Sequence, residues 1–191
     1  MKNTIKNDIK RSLNELIKIY HDKGEGNLIF PKKRDGSIRV SEQEARFLLV
    51  KHFEETSYKY AVEAPTMQKY SFTGQKKLSG NIDICVYEDS KRCSLIELKA
   101  NNYRNNHLSN DFEKLFCDFN NDTDKDKLCN FFIHILENKN PNIEEYFNKG
   151  IRIKNCNNIN SNVTIFLCIL KTKVIEEYKI ENNQVIFVTE T

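Results

Sequence analysis

The sequence predicts an α/β fold in which a central mixed β-sheet is flanked by helices. Apolar residues at helical spacing alternate along the chain with short runs of β-branched and aromatic residues. Between residues 41 and 170 the predicted order is a helix, three strands, a second helix and a further strand. The nearly all-apolar run from Val163 to Leu170 indicates a strand that is covered on both faces.

The composition is typical of one globular domain with its own core, since the chain has 191 residues, of which 39% are hydrophobic and 30% charged. We predict one compact unit, with residues 1–40 as an amino-terminal helix and hairpin extension and residues 41–191 as the main domain. The sequence lacks a membrane-spanning run and a secretory signal, so we expect a cytoplasmic protein without a membrane partner. With a net charge of only +3, any nucleic-acid contact must come from a local patch.

The six cysteines show no CxxC pair and no spacing typical of a zinc finger. Several have apolar neighbours, as Cys85 and Cys168 do. We therefore expect buried thiols in a reducing compartment, and neither a disulfide framework nor a zinc site.

The leading segment contains a predicted helix over residues 5–20, followed by a small hairpin around Asp35-Gly36. We expect this segment to form an accessory layer or to pack on a partner. Ser41 and Glu44 then form a capping box, with Ser41 as the N-cap, which predicts that the next helix begins here.

The most informative segment is a predicted β-hairpin over residues 81–100, with its turn centred on Ser90. Apolar residues of its two strands oppose each other on a buried face: Ile84 with Ile96, and Ile82 with Leu98. The same register places Asp83 opposite Glu97 on the other face, with side-chain roots roughly 4.5–5.5 Å apart. Lys99 follows on that face. Two carboxylates and an ammonium thus meet at one end of the hairpin.

Opposed carboxylates destabilise a sheet unless a cation intervenes. Oxygen ligands of this kind suit Mg²⁺ or Mn²⁺. The alternative is an ordinary exposed sheet face, on which Lys99 pairs with Glu97 and Asp83 is solvated.

An Asp followed by Glu-x-Lys at the end of the next strand resembles the active site of the PD-(D/E)XK nuclease superfamily. The matching residues are Asp83, Glu97 and Lys99, within Gly-Asn-Ile-Asp and Ile-Glu-Leu-Lys-Ala; Ile82 replaces the proline of the motif. The resemblance covers about residues 41–170 and implies a restriction-endonuclease-like core. It also implies a Mg²⁺-dependent endonuclease that hydrolyses phosphodiester bonds, in DNA more than in RNA.

The resemblance further implies that Asp83 and Glu97 hold Mg²⁺ or Mn²⁺ together with the backbone carbonyl of Leu98, while Lys99 orients the attacking water. An acid from the preceding helix often joins the metal in this superfamily, and Glu44 is the candidate. Its capping-box role is an equally good interpretation. Glu63 is a weaker candidate ligand.

Candidate nucleic-acid-binding residues lie on either side of the hairpin. They are Lys69, Lys76 and Lys77 in a predicted loop over residues 65–78, and Arg104, His107 and Lys114 after the hairpin. The aromatics of that loop suit base stacking, although a solvated surface loop is an alternative.

Two other functions remain open from the sequence. One is a non-catalytic binding subunit for nucleic acid or protein on the same fold. The other is an interaction protein that docks a partner, or a second copy of itself, through residues 1–40.

Overall fold

The computed structural model describes residues 2–22, 27–70, 78–101, 105–118, 128–151, 163–181 and 184–188. Within these ranges it contains four helices and seven strands. In chain order they are α1 (Lys2–His21), α2 (Glu42–Glu54), β1 (Lys59–Tyr70), β2 (Leu78–Glu88), β3 (Lys91–Ala100), α3 (Asn105–Cys117), β4 (Asn130–Leu136), α4 (Ile143–Gly150), β5 (Val163–Ile169), β6 (Val174–Glu181) and β7 (Gln184–Phe187).

The described strands form one mixed sheet in the order β1-β2-β3-β4-β5-β6-β7. β3, β4 and β5 run parallel to each other, whereas all other neighbouring pairs are antiparallel. β4 and β5 are buried along their whole length because helices cover both faces of the sheet. The predicted α/β class and the central mixed sheet are confirmed.

Helices α1 and α2 cover one face of the sheet, and α3 and α4 cover the other. The apolar stripe of α1 is fully buried at Ile5, Ile9, Leu13 and Leu16. Lys6 and Lys10 of α1 also pair with Glu177 of β6. The accessory layer expected at the amino terminus is therefore part of the same core, and its apolar stripe is used within the chain.

The predicted loop over residues 65–78 begins instead as strand, because β1 continues to Tyr70. A bulge between Pro65 and Lys69 accommodates the proline, which has no N–H to donate to the sheet. The small hairpin predicted around Asp35-Gly36 is present, with a bridge between Lys32 and Ile38.

The register predicted for the hairpin of β2 and β3 is correct at Ile84 and Ile96. It is wrong for Ile82 and Leu98, which lie in the core clusters on opposite faces of the sheet. No backbone pair beyond Ile84–Ile96 is formed between the described parts of β2 and β3, so the predicted direct pairing of Asp83 with Glu97 is also wrong. Instead, Asp83 Oδ2 accepts a hydrogen bond from the Leu98 N–H at 2.7 Å, so an acid side chain bridges the two strands where their ladder ends.

Four cysteines are buried thiols, as predicted: Cys85, Cys93, Cys129 and Cys168. Cys117 is disulfide-bonded, which contradicts the expectation of free thiols throughout. The sequence spacing could not reveal this bond, since disulfide formation depends on positions in the fold. Among the described helices, none is long and apolar enough to cross a membrane.

Candidate functional site

A cluster of charged side chains surrounds the point where the β2–β3 ladder ends, between the amino-terminal half of α2 and the side of α3 that carries Asp111 and Lys114. We call it the charged cluster. Its members are the acids Glu42, Glu63, Asp83, Glu97 and Asp111 and the cations Arg46, Lys99 and Lys114.

Asp83 is held from two sides. One carboxylate oxygen accepts from the Leu98 backbone, and the other is in a short contact with the guanidinium of Arg46. Arg46 also pairs with Glu63 Oε1 at 2.7 Å, and Glu63 itself has a positive φ of 52°. Burial raises the pKa of Asp83, although the Leu98 hydrogen bond and the Arg46 charge oppose the rise. The position of Asp83 therefore disfavours the ionised form of its carboxyl group, because burial removes that group from water.

Glu97 is the most buried acid of the charged cluster, with 2% of its surface exposed. Its Oε1 lies 2.6 Å from Lys114 Nζ, which also donates to the backbone carbonyl of Asn81 at 2.9 Å. Burial raises the pKa of Glu97 well above its ordinary value, and the nearby charges of Asp83 and Asp111 raise it further. Lys114 opposes this rise only in part. Glu97 therefore keeps its proton to a higher pH than an exposed glutamate does.

Lys99 lies on the same face as Glu97 but pairs with Asp111 of α3, at 3.1 Å from Oδ2. Its neighbour across the parallel ladder is His134 of β4, whose pKa burial and the Lys99 charge lower to about 3. His134 is therefore neutral at physiological pH. This arrangement differs from the exposed-face alternative, because Lys99 does not pair with Glu97 and the two strand acids are largely buried.

The acid that α2 brings to the charged cluster is Glu42. Its Oε1 accepts from the Ala100 N–H at 3.3 Å, and burial and the charge of Asp83 both raise its pKa. Glu44 accepts a hydrogen bond from Ser41 Oγ at 2.5 Å. Ser41 is the N-cap residue, as predicted, but its side chain makes no cap hydrogen bond to the helix backbone. Glu42, rather than Glu44, is therefore our candidate metal ligand on this helix.

Sequence reasoning missed Arg46 and assigned no role to Glu42. Residues four apart share one helix face, so the sequence could have shown that Glu42 and Arg46 place an acid and a cation on the same face of α2. Asp111 and Lys114 of α3 show the same signal at a spacing of three. The sequence did place Lys114 within reach of the site.

The other predicted nucleic-acid contacts are not brought together by the described chain. Lys69 is exposed in the second half of β1. His107 lies in the first turn of α3, and its side chain is outside the described residues, as are Lys76, Lys77 and Arg104.

The donor chemistry of the charged cluster fits a hard divalent cation, because all its candidate ligands are carboxylate oxygens beside the Leu98 backbone. Burial is the main cause of the raised pKa of Glu97, and the charges of Asp83 and Asp111 add to it; a bound cation would relieve the repulsion among these acids. Across the described residues, however, no three acids, histidines or cysteines are grouped closely enough to hold a metal ion. Arg46 and Lys114 instead contact the carboxylates, so a bound metal would have to displace them.

No protein-family model matches the chain, and comparison with curated proteins and with solved structures gives no significant match. The resemblance to the nuclease superfamily therefore depends on the residues of the chain itself.

Proposed function

We propose that the protein is a metal-dependent nuclease that hydrolyses phosphodiester bonds, with DNA as the expected substrate. The observation that carries this proposal is the charged cluster, in which Asp83 of β2 and the Glu97-x-Lys99 segment of β3 meet where the two strands stop pairing. A purely structural role does not account for a nearly fully buried Glu97 among other acids, because this arrangement costs stability.

The order of elements supports the restriction-endonuclease-like core that the resemblance implies. A helix, three antiparallel strands, a helix and a parallel strand follow in sequence as α2, β1, β2, β3, α3 and β4. The proposed catalytic acids lie on β2 and β3, and the helix that precedes β1 supplies Glu42.

Asp83 and Glu97, with Glu42 and the Leu98 carbonyl, would hold Mg²⁺ or Mn²⁺. When bound, such an ion polarises the phosphate and lowers the pKa of its coordinated water. Lys99 would orient the attacking water and offset negative charge on the phosphate as the P–O bond breaks. Glu97 must lose its proton to bind a cation, so binding becomes tighter as the pH rises.

A second candidate is a non-catalytic nucleic-acid-binding subunit on the same fold. The observation in its favour is that Arg46 and Lys114 already contact the strand acids, as expected if cations of the chain had replaced a metal. In that case Arg46 and Lys114 would neutralise the strand acids, and the charged cluster would bind no divalent ion.

A cleavage assay separates the two candidates. The purified chain is incubated with supercoiled plasmid, single-stranded DNA or structured RNA, in Mn²⁺, Mg²⁺, Ca²⁺ or EDTA. We expect cleavage in Mn²⁺ or Mg²⁺ and none in EDTA. Asp83→Asn and Glu97→Gln should each abolish it, because they keep the side-chain shape and remove a charged ligand.

Glu44→Gln is the matched control, since it makes the same chemical change on a helix that reaches the site but at a side chain bonded to Ser41. Its cleavage rate should equal that of the unmodified chain. Cleavage that persists in Glu97→Gln would refute the assignment of the site, and no cleavage of any substrate would favour the binding subunit.

A further inference from the structure

The positive charge of the chain is concentrated at its amino terminus. The first forty residues contain ten lysines and arginines and five acids, whereas the rest of the chain contains 20 basic and 22 acidic residues. The excess charge of the protein therefore comes from α1 and the small hairpin that follows it.

Within this region, the cations of α1 are largely engaged by acids of the same chain. Lys6 and Lys10 pair with Glu177, and Arg11 pairs with Glu55 at 2.7 Å. These contacts offset much of the positive charge on α1.

The hairpin over residues 31–39, which we call the basic hairpin, differs from α1. Four exposed cations lie on it: Lys32, Lys33, Arg34 and Arg39. None of the four forms an ion pair with another residue in the described part of the chain. Its single acid, Asp35, instead accepts hydrogen bonds from Ser37.

The backbone of the basic hairpin is fixed by its own hydrogen bonds. The Arg39 N–H donates to the Pro31 carbonyl at 2.7 Å, and Asp35 Oδ1 accepts from both the N–H and the hydroxyl of Ser37. Gly36 takes a positive φ of 81°, a conformation that favours glycine at this turn. The four cations are therefore presented by an ordered loop, which lowers the entropy cost of binding a ligand.

The basic hairpin is attached close to the charged cluster. Phe30 and Val40, the residues on either side of it, are both buried in the core beneath α2. Arg39 is only three residues before Glu42, so their Cα atoms are no more than about 11 Å apart. A polymer bound at the charged cluster that extends over this distance towards Arg39 reaches the base of the basic hairpin.

We propose that the basic hairpin binds the phosphate backbone of the nucleic acid on which the charged cluster acts. Lysine and arginine bind phosphates through charge and hydrogen bonds, without reading the base sequence. The choice of nucleic acid over other polyanions rests on the proposed function. The proposal places the phosphate contacts on a local basic patch, in a chain whose net charge is only modestly positive.

The test measures binding of the full-length chain to labelled single-stranded DNA, duplex DNA and RNA by fluorescence anisotropy in EDTA, over a series of salt concentrations. The hairpin variant replaces four residues with glutamine: Lys32, Lys33, Arg34 and Arg39. The control variant removes the same charge from four exposed lysines elsewhere: Lys59, Lys91, Lys149 and Lys179.

We expect the hairpin variant to bind at least about tenfold more weakly at low salt, with the slope of log Kd against log salt reduced by about 3. The control variant should retain most of the affinity. Equal losses in both variants, or no binding by the unmodified chain, would overturn the proposal, as would tighter binding to anionic lipid vesicles than to nucleic acid.

The same proteins distinguish this inference from the proposed function. Because binding is measured in EDTA, hairpin-dependent binding without cleavage in Mn²⁺ would refute the nuclease and leave the inference intact. Cleavage at an unchanged rate and unchanged binding in the hairpin variant would refute the inference alone.

Discussion

Replacing Glu97 with Gln should make the free energy of unfolding of the protein less dependent on pH. The pKa of Glu97 is raised from its ordinary value of 4.5, so above that value the folded chain holds a proton that the unfolded chain has lost. The free energy of unfolding therefore falls as the pH rises towards the raised pKa of Glu97. The amide introduced by the substitution is neutral at every pH, and its oxygen can still accept from Lys114.

The size of the effect follows from linkage. One proton held by the folded state alone changes the free energy of unfolding by about 1.4 kcal/mol per pH unit. Near pH 4 the two proteins should be similarly stable, and the advantage of Glu97→Gln should grow at up to that slope until Glu97 ionises. Asp83 and Glu42 also have raised pKa values, but their contributions largely cancel because both proteins contain them.

Urea unfolding at pH 4, 5, 6, 7 and 8 in EDTA measures this difference. A gap between the two proteins that does not change with pH would refute our account of Glu97. A variant that is less stable than the unmodified chain at pH 8 would show that the contact between Glu97 and Lys114 contributes net stability.

Three further substitutions test the packing and the site. Gly150→Ala should lower the free energy of unfolding by about 1–3 kcal/mol, because the added Cβ would lie 2.5 Å from Leu108 Cδ2. An unchanged urea midpoint would contradict this packing. Asp118→Asn should lower the free energy of unfolding by about 3 kcal/mol, because the buried Arg92 guanidinium would then face a neutral group. A loss below about 1 kcal/mol would refute the importance of this ion pair. Lys99→Gln should lower the cleavage rate about 100-fold with little change in Mn²⁺ affinity; an unchanged rate would remove its assigned role.

The fold class was predictable because it depends on local patterns. Apolar spacing located the helices, and the continuous apolar runs of β4 and β5 indicated strands covered on both faces. The hairpin register was predictable at Ile84 and Ile96, where regular pairing holds.

The register failed at Ile82 because a regular ladder was assumed to continue beyond Ile84. In the structure, the β2–β3 ladder ends at Ile84. Glu63 of the neighbouring strand has a positive φ and is absent from the β1–β2 pairs, and Ala64 and Ile82, which pair next to this point, both pack on the α3 face. A positive φ at a non-glycine residue leaves no mark in the sequence.

The spacing indicated that Asp83 and Glu97 lie near each other, although they do not form the predicted backbone pair, and it did not identify the side chains that contact them. Arg46, Glu42 and Asp111 reach the charged cluster from two helices on opposite faces of the sheet. Which side of a helix meets a given strand end is decided by tertiary packing, so a single sequence could not select Glu42 over Glu44.

The most direct test of a divalent-cation site is a calorimetric titration of the full-length chain with Mn²⁺ at several pH values, in two buffers of different ionisation enthalpy. Our account predicts saturable binding and a release of protons that grows as the pH is lowered, because Glu97 must ionise to become a ligand. Binding should persist in Glu44→Gln and disappear in Glu97→Gln. No binding by the unmodified chain, or equal binding by both variants, would contradict a metal site at the charged cluster.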